Sequence, residues 1–131
     1  MSECHSTATP VDARTKLSAT EGAALADPSK YRRLAGALQY LTLTRPDLAY
    51  AIQQVYLFMH GPHELHLALI KCILQYVKDS LSFGRHLGTG AIDQLTAYSD
   101  TDWAGCLDTR RSTSGFYVYL GDNLVSWSSK R

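Results

Sequence analysis

Ala97-Tyr98-Ser99-Asp100-Thr101-Asp102-Trp103-Ala104-Gly105-Cys106-Leu107-Asp108-Thr109-Arg110-Arg111-Ser112-Thr113-Ser114-Gly115 is the stretch on which the reading of the whole chain turns. It is entered through an alternating run, Leu95-Thr96-Ala97-Tyr98-Ser99, whose period of two is that of a β-strand. Asp100 stands at the end of that strand. Asp102 and Asp108 follow within eight residues, then an arginine pair and a Ser/Thr/Gly turn. A strand that ends on a carboxylate is a common way to present a ligand to a metal ion, but one ligand does not make a site. Asp102 and Asp108 alternate with Thr and Gly beside Arg110 and Arg111, which suits surface turns and exposed ion pairs contributing only about 0–1 kcal/mol. Asp100 is left as the one candidate metal ligand of the stretch, with a strand-end turn former as its plainer alternative.

Downstream, Gly115 to Leu120 alternates again, with Phe116, Val118 and Leu120 on one face and Tyr117 and Tyr119 on the other. Gly121-Asp122 is a two-residue hairpin signal with Gly first. Leu124 to Ser128 makes a third strand, with Val125 and Trp127 sharing a face. Such a sheet is apolar on both faces and needs cover. With Lys130-Arg131 closing the sequence, it is expected to be the opening of a domain, a truncated three-stranded antiparallel sheet.

Upstream the period is that of helices. Ser82-Phe83-Gly84 and Gly88-Thr89-Gly90 read as a flexible joint. Before it, Ile70, Ile73, Val77 and Leu81 mark the buried face of a helix from about His63 to Lys78, with Lys71, Gln75 and Lys78 turned away. Leu48, Ile52, Val55 and Met59 form the stripe of a second helix, entered through Thr44-Arg45-Pro46-Asp47, where Thr44 and Asp47 have capping-box spacing, and ended by Gly61-Pro62. Tyr31, Leu34, Leu38 and Leu41 form a third stripe, capped by Asp27 ahead of Pro28. Gly36 interrupts it at a cost of roughly 1 kcal/mol against alanine, which implies a close helix contact. Three amphipathic helices with short connections make a small bundle. The expected fold is therefore α+β, with a poorly ordered lead-in over residues 1–26, a helical region over 27–86 and a truncated β domain over 87–131.

At 131 residues and 45% apolar composition this is an ordinary globular chain, and a net charge of +1 gives no sign of an autonomous nucleic-acid binder. Cys4, Cys72 and Cys106 lack zinc spacing and read as reduced thiols in an intracellular protein. His60, His63 and His66 recur every three residues, but Gly61-Pro62 breaks any shared helix, so they read as solvated loop and helix-start residues. No signal peptide, transit peptide or transmembrane run is visible.

In this order and spacing, the motifs resemble the C-terminal part of the Pol polyprotein of copia-type LTR retrotransposons. The resemblance rests on Thr9-Pro10-Val11-Asp12; Tyr31-Arg32-x-Leu34-x-Gly36-x-Leu38-x-Tyr40-Leu41; Thr44-Arg45-Pro46-Asp47-x-Ala49-Tyr50-Ala51; and Ile73-Leu74-x-Tyr76-Val77-Lys78. It continues through Tyr98-Ser99-Asp100-x-Asp102-Trp103-Ala104-Gly105-Cys106, Arg110-Arg111-Ser112-Thr113-Ser114-Gly115 and Ser126-Trp127-Ser128-Ser129-Lys130. It implies that residues 27–86 correspond to the thumb and connection of a reverse transcriptase, and residues 87–131 to the start of a ribonuclease H domain.

In that family ribonuclease H cuts the RNA strand of an RNA–DNA hybrid with two Mg²⁺ ions about 4 Å apart, and Asp100 matches the first of four carboxylates. The others belong to elements after Arg131, so the chain is expected to be a catalytically incomplete Pol fragment that holds no Mg²⁺ stably. The helix from about His63 to Lys78 departs from the family pattern, with Cys72 and Gln75 where relatives carry basic residues and Lys78-Asp79-Ser80 in place of Lys-Gly-Thr. That weakens the expected grip on an RNA–DNA hybrid or DNA duplex, leaving Lys71, Lys78, Arg110 and Arg111 as the nucleic-acid contacts. The alternative is a helical module that binds nucleic acid or a Pol-derived subunit able to complete the sheet.

Overall fold

A computed structural model describes residues 9–11 and 16–131; Cys4, His5, Asp12 and part of the expected lead-in lie outside the described residues. Three helices, α1 Ser29–Leu41, α2 Ala49–Leu57 and α3 Glu64–Asp79, precede three strands, β1 Leu95–Asp102, β2 Thr113–Leu120 and β3 Asn123–Lys130. A short 3-10 turn, Pro46–Leu48, leads into α2. The fold is α+β, as the switch in period implies.

The helices bury the stripes that define them. In α1, Asp27 accepts the Ser29 N–H at 2.9 Å, and Tyr31, Ala35 and Leu38 are buried. The Tyr31 phenol donates to the Val55 carbonyl at 2.7 Å, so its polar tip is satisfied inside the core, and burial pushes its pKa up. Leu48, Ile52 and Val55 from the second stripe meet Ile70 and Ile73 from α3 in one cluster. Each such side chain contributes about 1.5–3 kcal/mol on burial.

Four expectations about the helices are corrected. Gly36 makes no close helix contact, since a methyl group there would meet nothing within 4 Å. Thr44 does not cap; its hydroxyl donates back to the Leu41 carbonyl at 3.5 Å, the donor geometry of a helix end and not of a start. The second helix stops at Leu57, short of Gly61-Pro62. Leu81 is exposed because α3 ends at Asp79, before the next turn could bring it to the core.

The sheet is antiparallel in the order β1-β2-β3. Tyr98 pairs with Tyr117 and Asp100 with Gly115, while Tyr117 pairs with Trp127 and Gly115 with Ser129. Thr96, Tyr98, Asp100 and Asp102 therefore share a face with Tyr117, Tyr119 and Trp127. Phe116, Val118 and Leu120 lie on the other face, and each strand runs longer than its alternating core. Gly121 has φ +58° and Asp122 a negative φ, the form of a hairpin turn with Gly first. A Cβ at Gly121 would also collide with the Ala91 carbonyl. The register shifts between Val118 and Tyr119, which makes Val125 the extra residue of a bulge.

The glycine-containing joint is fastened to the hairpin. Asn123 accepts the Gly88 N–H at 2.7 Å and returns its amide to the Gly88 carbonyl at 3.2 Å. Gly121 donates to the Gln94 carbonyl at 2.7 Å. Arg85 donates to the Leu124 carbonyl at 3.1 Å and stacks 5.5 Å from the centre of the Trp127 ring. Trp127 in turn donates its indole N–H to the Thr42 carbonyl at 2.8 Å, tying β3 to the end of α1.

Residues 16–25 act as a strap. Leu25 donates to the Pro62 carbonyl and Glu64 to the Ala23 carbonyl, at 3.0 and 2.9 Å, across the start of α3. Ala24 and His63 form an isolated antiparallel bridge. Among the described residues no helix is long and apolar enough to cross a membrane.

Candidate functional site

Asp100 lies within β1, two residues before its end, opposite Gly115. It is exposed. Together with Asp102, Tyr50, Tyr98, Thr113 and Tyr117 it lines a cleft of ≈ 280 Å³ between the sheet and α2.

The other two carboxylates of the stretch are engaged elsewhere. Asp102 accepts the Lys16 ammonium at 3.1 and 3.3 Å, a half-exposed pair. Gly105 permits this arrangement, because any Cβ there would occupy the space of the Asp102 carboxylate. Asp108 accepts the Ser18 hydroxyl at 2.6 Å and the Ala19 N–H at 2.7 Å. Those two hydrogen bonds, the Ser18 hydroxyl foremost, hold its pKa below the usual carboxylate value. The partners expected from proximity in sequence, Arg110 and Arg111, are replaced by the strap. Instead, backbone bonds close the loop: Arg110 donates to the Cys106 carbonyl and Cys106 to the Arg111 carbonyl, at 3.0 and 3.2 Å. Arg110 adopts φ +56° to do so.

Magnesium takes oxygen ligands in near-ideal octahedral geometry. Among the described residues no three His, Cys, Asp or Glu side chains converge on one point. Asp100, with Asp102 drawn to Lys16 and Asp108 to Ser18, does not fit a pair of Mg²⁺ ions. Lys71, Lys78, Arg110 and Arg111 are all exposed, and none forms an ion pair among the described residues.

Two groups carry more of the structure than sequence spacing indicates. His66 is fully buried, stacked on Phe58 with ring centres 3.8 Å apart. Its Nδ1 accepts the His63 N–H at 2.9 Å, and its Nε2 meets the Ser18 carbonyl at 3.1 Å. An acceptor on one nitrogen and a donor on the other define the neutral imidazole. Burial lowers the His66 pKa, outweighing the Ser18 hydrogen bond that favours the cation. The expectation of a solvated histidine fails because the strap covers this side of α3.

Arg45 is the second such group, 8% exposed at its side chain. It forks onto Asp47 at 3.0 and 2.7 Å and onto the Ser80 carbonyl and hydroxyl at 3.0 and 2.8 Å. Tyr76 adds a hydrogen bond to Asp47 at 3.1 Å, and the rings of Tyr76 and Phe83 flank the guanidinium at 5.8 Å. Burial alone would raise the Asp47 pKa, but the hydrogen bonds from Arg45 and Tyr76 outweigh it and hold the carboxyl below its ordinary value. The signal was the Arg-x-Asp spacing itself, which places the two side chains within reach across Pro46.

Cysteine chemistry also departs from the spacing argument. Cys72 is disulfide-bonded, whereas Cys106 is a free, buried thiol. Bridging depends on separation in space, which spacing along the chain does not reveal.

The chain is 47% identical over 123 residues to a retrovirus-related Pol polyprotein from transposon RE1 of Arabidopsis thaliana, covering 94% of this chain. It is 44% identical over 124 residues to the corresponding polyprotein from transposon RE2, covering 95%. It is also 44% identical along its full length to an uncharacterised mitochondrial protein of the same plant. The chain spans 8% of each polyprotein and 54% of the mitochondrial protein. No protein-family model matches it. No solved structure matches it.

Proposed function

We propose a role from one premise: this chain belongs to the copia-type, retrovirus-related Pol polyproteins of transposons. Within that family, residues 27–86 act as the thumb and connection of a reverse transcriptase, and residues 95–130 as the opening sheet of a ribonuclease H domain. Asp100 is the remnant of the first metal-binding carboxylate. The chain on its own neither holds Mg²⁺ stably nor cleaves an RNA–DNA hybrid.

The observation that carries this reading is the fate of the three neighbouring aspartates. Asp100 and Asp102 both line the cleft beside α2, but the Asp102 carboxylate is drawn to Lys16 and that of Asp108 to Ser18. Two-metal hydrolysis needs carboxylates from several elements converging on both ions. The test is incubation of the purified chain with an end-labelled RNA–DNA hybrid in Mg²⁺ and in Mn²⁺. No cleavage is expected; cleavage that disappears in Asp100→Asn would overturn the reading.

A second reading, a module that grips hybrid or DNA duplex without cutting it, draws on the exposed Lys71, Lys78, Arg110 and Arg111. Its grip is expected to be weak and to fall steeply with salt, because it would rest on phosphate contacts. Absence of a mobility shift with hybrid duplex at low salt would remove it.

A further inference from the structure

The sheet face that carries Asp100 continues away from the helices into a second, wider cleft of ≈ 540 Å³, lined by Gln94, Thr96, Tyr98, Tyr117, Tyr119 and Asp122 among others. Its walls are three tyrosines set by the register: Tyr98 directly across from Tyr117, and Tyr119 two residues further along β2. The rings of Tyr98 and Tyr119 stand nearly perpendicular, 84° apart, with centres 6.1 Å from each other. Tyr98 is 62% and Tyr117 42% exposed, a large aromatic area to leave in water. The hairpin turn adds the Asp122 carboxylate at the rim.

Three other rings carry one of the protein's own cations. Arg45 sits between Tyr76 and Phe83, and Arg85 lies over Trp127. The tyrosine trio has no such contact among the described residues, and no lysine or arginine lines its cleft. The site therefore presents three aromatic rings and a carboxylate with no internal counter-charge.

We propose that this cleft binds a small molecule through a trimethylammonium head group. The chemistry selects that class. Ring faces attract a cation held within about 6 Å, and three tyrosines line this one cleft together with Asp122. A primary ammonium is strongly hydrated and demands three acceptors in return. An alkylated one sheds its weaker shell readily and needs only the ring faces and the nearby Asp122 charge. A neutral group of the same shape gains neither. The proposal is independent of the Pol-family reading.

Choline is the probe, titrated into the full 131-residue chain and followed by NMR. The expected result is a roughly millimolar Kd, with the N-methyl protons moved upfield by the rings and the Tyr98 and Tyr117 signals perturbed. 3,3-Dimethyl-1-butanol, the neutral isostere, is expected to bind at least roughly tenfold more weakly, and Tyr98→Leu to weaken choline roughly three- to tenfold. Asp122→Asn, at a turn position that tolerates either residue, is expected to weaken choline while leaving the neutral isostere unchanged. Backbone amide spectra of each variant establish that the sheet is intact. Equal binding of choline and its isostere, binding unchanged in a folded Tyr98→Leu or Asp122→Asn chain, or no shift up to roughly 50 mM choline would overturn the proposal.

Discussion

Arg45 and Asp47 show how a short motif that reads as a helix entrance can instead join two helices. The guanidinium is nearly sealed from solvent and spends its donors on Asp47 and Ser80. That ties the entrance of α2 to the end of α3. Removing the carboxylate leaves a buried cation half-satisfied, so Asp47→Ala is expected to lower stability by about 2 kcal/mol after allowance for partial exposure of the pair. Urea denaturation checks it. The pH dependence follows from sign: the folded pKa of Asp47 is depressed, so its contribution is complete above the unfolded value near about 3.9. It is lost as pH falls through the lower folded value, and the gap between wild type and Asp47→Ala should close below about pH 4. Of these pairings the sequence discloses only the Arg-x-Asp proximity, because Ser80 and Tyr76 arrive through the packing of α3. His66 is hidden for the same reason: the strap that buries it has no periodicity of its own.

At the scale of elements, the stripes and turn signals are legible because each reports a local geometry. Tyr31, Leu38, Ile52, Val55, Ile70 and Ile73 are buried as their spacing requires, and Gly121 turns the hairpin. What escapes is any inference that needs a neighbour. Gly36 reads as a contact point but faces open space, so it imposes only the entropic cost of glycine in a helix. Gly36→Ala is expected to stabilise the chain by about 0.5–1 kcal/mol, seen as a higher denaturant midpoint at constant m-value. The place of Asp100 near the end of a strand was legible from the alternating run before it. The diversion of Asp102 and Asp108 was not, since Lys16 and Ser18 lie 86 and 90 residues away in sequence.

For the whole molecule, the union of helices and sheet rests on few groups, among which Trp127 is central. Its indole reaches Thr42 while Arg85 covers its ring. Trp127→Phe keeps the aromatic body but loses the donor, and is expected to cost about 1 kcal/mol and to shift the amide resonances around Thr42 and Leu43. Spectra unchanged at those residues would disprove the tether. The clasp between Lys16-Ser18 and Asp102-Asp108 has a kinetic consequence. The helices and the β-meander each close through near neighbours and assemble fast. The clasp joins chain positions 86 and 90 residues apart, and its half-exposed ion pair repays little of the closure entropy. The clasp is expected to open before the helical core does, seen as fast hydrogen exchange at the Ala19 amide that Asp108 accepts.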